Sequence, residues 1–214
     1  NPGITMENHT ASLPRPFSLY LDCCRFLAAV MVVFSHFLSY GALPARSTRW
    51  WHALWRESVV LFFVLSGFVI AYTTEQKNQS AREYVLARCA RIYSVALPVL
   101  VASFTVAGLV LSLTDIAVIT GYQVAKAYIY FPFHLMFAGE FWNVSESPPW
   151  LIPYWSLSYE VWYYVLFGVA YYLTGIKRTL ILAGVLLLVG FKLWLLLPVW
   201  LSGAWLYEWS KSNT

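Results

Sequence analysis

Arg25-Phe-Leu-Ala-Ala-Val-Met-Val-Val-Phe-Ser-His36 decides how the rest of the chain is read. Two ionisable side chains bracket ten residues among which Ser35 alone is polar. A helix turns by about 100° per residue, so eleven steps bring His36 to within about 20° of Arg25, about 16 Å further along the axis. On a helix the two share one face. Polar groups in so apolar a run cost free energy unless they are paired, which makes them functional candidates. The plainer alternative has Arg25 and His36 reaching to opposite membrane interfaces along their own stems.

Outward from that stretch the composition agrees with a membrane helix. The chain has 214 residues, of which 60% are hydrophobic and only 11% charged, against about 25% charged in soluble domains. The apolar residues form long runs, not narrow stripes. Only helices and closed barrels can face lipid, so the pattern predicts an all-α, polytopic transmembrane helical bundle of about five to six spans. A net charge of +4 is too small to suggest nucleic acid, and the basic residues cluster at predicted helix ends. Cys23, Cys24 and Cys89 offer no disulfide framework. Residues 1–18 read as a disordered cytoplasmic lead-in with Pro2, Pro14 and Pro16 and no cleavable signal. Met6 reads as a candidate start, and the N-x-S/T triplets at Asn8, Asn78 and Asn143 carry no assignment.

The first predicted span runs from Tyr20 to Tyr40, followed by a short loop in which Trp50, Trp51 and Trp55 lie beside arginines as in an interfacial belt. The second covers Ser58–Thr74, a polar loop covers Glu75–Arg91, and the third covers Ile92–Leu113 with Pro98 as a kink. Ile116–Gly139 is interrupted by Lys126 and Pro132 and reads as a re-entrant or interfacial helix. Pro148, Pro149 and Pro153 predict a rigid loop, and spans follow at Tyr154–Thr174 and Thr179–Pro198, with another beginning at Val199. With the N-terminus inside, eight basic residues face the cytoplasm and four face outward, as the positive-inside rule requires.

Four constellations carry possible chemistry. Arg25 and His36 are the first. Glu160, five residues after Trp155 on a helix that starts outside, sits about 7 Å deep, near the depth of His36. A carboxylate there can orient an imidazole acting as general base, or else pair with an arginine. In Phe62-Phe-Val-Leu-Ser66-Gly67-Phe68 the small residues admit a close helix or a ligand. Arg88 and Arg91 share a helical face and could bind phosphates by charge-assisted hydrogen bonds, or simply obey the positive-inside rule. His9, His36, His52 and His134 are scattered without metal-ligand spacing, so no metal site is expected. The chain has no G-x-S-x-G elbow and no nucleotide-binding loop.

In chain order, Leu21-Asp-Cys-Cys-Arg25 with His36, Phe62–Phe68, Arg88-Cys-Ala-Arg-Ile92 and Tyr154-Trp-Ser-Leu-Ser-Tyr-Glu160-Val-Trp-Tyr-Tyr164 resemble the type 3 integral-membrane acyltransferase family. Its members O-acylate bacterial surface carbohydrates. The resemblance implies an inner-membrane enzyme with a cytoplasmic N-terminus, acyl-CoA as co-substrate with no other cofactor, and a carbohydrate acceptor. By position, His36 and Glu160 would be catalytic and Arg25, Arg88 and Arg91 would bind the donor. Ser66, Gly67, Trp155, Ser156 and Ser158 would line the site. The family fold has about ten spans, so residues 19–214 would form the N-terminal part of the acyltransferase domain. Cys23, Cys24 and Phe26 depart from the small residues usual around this arginine. Rival readings are a transporter or polysaccharide-export component, and a truncated remnant without activity. The oligomeric state is left open.

Overall fold

A computed structural model describes residues 19–20, 23–24, 26–28, 30–31, 34, 49–114 and 121–212, with backbone alone over 49–56. Arg25, His36 and the lead-in 1–18 lie outside the described residues. All regular structure among the described residues is helical. Helical positions between 19 and 34 fall in the first predicted span. They are followed by α1 (Arg49–Gln76), α2 (Ala81–Leu113), α3 (Gly121–Ala125), α4 (Ala127–Leu135), α5 (Tyr154–Tyr172), α6 (Gly175–Val189) and α7 (Phe191–Ser212).

Two helices among the described residues are long and apolar enough to cross a membrane: Glu57–Gln76 within α1, and Ala81–Leu113. The others fall short for separate reasons. The tyrosines and tryptophans of α5 lower its mean hydropathy. The 15 residues of α6 rise only about 22 Å, against a hydrocarbon core of about 30 Å.

Three boundaries differ from the sequence reading. The predicted loop over Glu75–Arg91 is mostly helix. A capping box closes the start of α2: the Ser80 side chain accepts from the Glu83 amide, and the Glu83 carboxylate accepts from the Ser80 amide at 2.9 Å. The resulting 33-residue helix is about 50 Å long, so Arg88 sits two turns inside it. Nor does one helix run over 179–198. It breaks at Gly190, whose φ of +83° only glycine adopts at little cost, and Pro198 lies inside α7. Finally α1 begins at Arg49, well before Ser58, because no glycine or proline interrupts 49–66.

The chain divides into two units, Asn1–Asn78 with Val199–Thr214, and Gln79–Pro198. In the first, α1 and the second part of α7 approach backbone to backbone. A Cβ on Gly67 would run into the Trp200 carbonyl, and one on Gly203 into the Val64 carbonyl. Tyr207 then meets the edges of Phe68 and Tyr72 at 5.7 and 5.8 Å, and Lys211 pairs with Glu75 at 2.5 Å. This is the small-residue helix packing that apolar surroundings favour.

In the second unit, α2 carries α3, α4 and α5 against it, and α5 packs on α6. The segment 136–153 is tied down along its length. Ser103 Oγ donates to the Pro149 carbonyl at 2.5 Å, and Gln123 Nε2 donates to Glu146 and to the Ser147 carbonyl. The Trp142 amide and indole, with the Trp194 indole, satisfy the Val189, Leu187 and Leu186 carbonyls at the end of α6. Phe137, Trp142 and Trp150 in this segment have positive φ, a conformation that bulky side chains rarely take, and the bonds to α6 hold Trp142 there.

Candidate functional site

The second unit brings two of the four sequence constellations together where α2 and α5 run antiparallel. The register is set by aromatic side chains. Tyr172 OH donates to the Gln79 carbonyl at 2.9 Å, and the buried Tyr84 OH donates to the Tyr164 carbonyl at 2.8 Å. Gly168 makes room for the Tyr84 ring, since a Cβ there would stand 2.9 Å from Tyr84 Cε1.

Arg88, one turn after Tyr84, lies over two aromatic rings at once. Its guanidinium carbon is 5.6 Å from the centroid of Tyr84 and 5.6 Å from that of Tyr164. Each ring face attracts the cation. One turn back along α5, Tyr164 OH donates to Glu160 Oε1. Arg88 and Glu160 are therefore joined through a single tyrosine. Sequence reasoning placed Arg88 at the inner surface and Glu160 at outer depth. Both contact Tyr164, and α2 starts eleven residues earlier than the span predicted from hydropathy.

Beside this cluster lies a groove of about 490 Å³ walled by Tyr84, Arg88 and Cys89 of α2, Tyr164 and Gly168 of α5, and Met136 just after α4. The volume is within the range of small-molecule sites, which are mostly apolar with a few placed polar groups. Arg88 is half-buried, whereas Arg91 and Cys89 are exposed.

The remaining predicted residues divide between the units. Trp155 is half-buried and meets Tyr159 edge to face at 5.5 Å. Ser156 Oγ donates to the Pro153 carbonyl at 3.0 Å in the first turn of α5, and Ser158 is buried. Ser66 and Gly67 belong to the first unit, where Ser66 is buried and Gly67 packs against α7. That is the packing alternative for the Phe62–Phe68 segment. Among the described residues no group of three or more His, Cys, Asp or Glu could hold a metal ion.

Sequence reasoning missed Tyr84 and Tyr164 as members of the cluster. The available signal was Tyr164 four residues after Glu160, the spacing at which helical side chains meet. It also left Glu140 and His134 without a part. Glu140 is buried and pairs with Lys192 at 3.1 Å, and Lys192 Nζ also donates to the Val144 carbonyl. His134, on the nine-residue α4, is fully buried among Phe104, Tyr130, Phe133 and Tyr154. Neither ring nitrogen finds a hydrogen-bond partner among the described residues. Burial lowers its pKa to about 4, so the ring is neutral at pH 7.

Comparison with known proteins agrees with the motifs. A family model described as an acyltransferase domain matches residues 18–211. No curated protein matches the chain, and no solved structure does. The match runs through Arg25, His36, Phe62–Phe68, Arg88, Arg91 and Trp155–Glu160, and the chain belongs to the type 3 acyltransferase family.

Proposed function

We propose that this protein is a membrane-bound O-acyltransferase that moves an acyl group, in the first instance acetyl, from acyl-CoA to a hydroxyl of a cell-surface carbohydrate. The observation that carries this reading is the family match across residues 18–211, which takes in all four constellations in order. The membrane is the bacterial inner membrane, crossed five to six times by this chain, with the N-terminus in the cytoplasm. Two helices long and apolar enough to cross a membrane support a membrane location.

In this reading Arg25, Arg88 and Arg91 hold the phosphates of the donor by charge-assisted hydrogen bonds. The thioester on its long arm extends along the membrane normal toward His36. The imidazole removes the proton of the acceptor hydroxyl as the oxygen attacks the thioester carbonyl, and the proton passes to the departing CoA thiolate. Glu160 orients the imidazole and stabilises its protonated form. Trp155, Ser156 and Ser158 shape the cavity for the acceptor.

The test is transfer of labelled acetyl from acetyl-CoA to glycan in membranes. His36→Ala should reduce transfer at least about a hundredfold, since general base catalysis contributes about 10²–10⁴-fold. Equal transfer by the two proteins removes His36 from the mechanism, and no transfer by the wild type overturns the reading.

A further inference from the structure

We propose that Tyr164 is a positioning residue that couples the donor-side arginine to Glu160. The inference rests on the acyltransferase reading and goes beyond it, because it assigns a residue with no role in that mechanism so far.

Tyr164 is buried, and three of its directed contacts bear on this cluster. Its hydroxyl donates to Glu160 Oε1, its ring lies under the Arg88 guanidinium at 5.6 Å, and its carbonyl accepts from Tyr84 OH at 2.8 Å. A carboxylate on a largely apolar helix needs hydrogen-bond donors, and a glutamate side chain has several rotamers to choose among. The Tyr164 hydroxyl selects one by holding Oε1. The cation over the ring polarises the same hydroxyl and strengthens its hydrogen bond. The Tyr84 hydroxyl ties the backbone of α5 to α2 at Tyr164 itself, so the Tyr164 ring starts from a fixed point between Arg88 and Glu160.

Two functions meet in one side chain: the hydroxyl serves the carboxylate, and the ring serves the guanidinium. Tyr164→Phe deletes only the first. Tyr164→Leu deletes both. If Tyr164 acts through Glu160, it affects turnover in one variant and donor binding as well in the other.

The experiment measures kcat and acyl-CoA KM in membranes for the full chain, with thermal unfolding of each purified variant alongside. For Tyr164→Phe we expect kcat to fall about tenfold, the scale of one hydrogen bond to a charged group, with KM within about twofold. Tyr164→Leu should show the same fall and a KM raised about tenfold by loss of the cation–π contact. In a Glu160→Ala background, Tyr164→Phe should lower kcat no further, as expected for residues acting as one unit. Tyr171→Phe, on the same helix with an exposed ring, should match the wild type. A Tyr164→Phe protein with unchanged kcat overturns the proposal. So does a fall that is undiminished on Glu160→Ala, or one accompanied by loss of folded protein, which would make Tyr164 structural. Absence of transfer by the wild type sinks the acyltransferase reading itself, a separate result from any of these.

Discussion

Single side chains in this protein are decided by whether a partner from a distant part of the chain arrives. Lys192 looks like an interruption in an apolar stretch, and nothing within a helical turn neutralises it. Its partner Glu140 comes from 52 residues earlier and is itself buried. Removing one member of such a pair strands the other charge. Lys192→Met should destabilise the second unit by about 2 kcal/mol, below the ~3–5 kcal/mol of a fully buried pair because Lys192 keeps some contact with the exterior. The check is thermal unfolding in detergent. Lys192→Met with Glu140→Gln should recover part of the loss, and equal stability of Lys192→Met and wild type would contradict the assignment. Glu160 obeys it only in part: Tyr164 stands four residues away on the same helix, but that the same ring meets Arg88 depends on α2.

At the level of elements, the signals that set boundaries were present but outweighed by charge. Ser80-Ala-Arg-Glu83 is a capping box, yet Lys77, Arg82, Arg88 and Arg91 make the region look like a cytoplasmic loop. The helix wins because the cap satisfies amides that would otherwise be orphaned. Ser80→Ala should cost about 1 kcal/mol, read as faster amide exchange confined to the first turns of α2. Uniform exchange in the variant and wild type would show that tertiary packing alone holds that end. The break at Gly190 was harder to see, because a lone glycine in an apolar run is as often tolerated as not. It becomes a corner since Trp142 packs where a Cβ would be, 2.8 Å from the ring.

Over the whole molecule, each unit is held by its own long-range contacts. In the first, Gly67 and Gly203 allow two backbones to touch. Gly67→Ala should push the second part of α7 off α1. A cost of about 3 kcal/mol, the upper end for overpacking, is expected because the obstruction is backbone and cannot rotate away. Limited proteolysis with detergent unfolding checks it. A stable Gly67→Ala protein with weakened acetyl transfer would instead favour the ligand-lining role for this segment. In the second unit, the segment 136–153 behaves as a brace, tied by hydrogen bonds from α2, α3 and α5 and by those that Trp142 donates to α6.

Composition and periodicity by themselves determined the helical class, two helices long and apolar enough to cross a membrane and the motif order that identifies the family, because these depend on local chemistry repeated along one chain. Order along the chain also named Glu160 and Arg88 as candidates. Only tertiary structure decided that they share one tyrosine, that Lys192 answers Glu140, that Gly67 meets Trp200, and where Gly190 turns the chain. Each of these depends on which distant residue arrives within a few ångströms. A one-dimensional pattern holds the residue types for such meetings but not the register at which two helices pass.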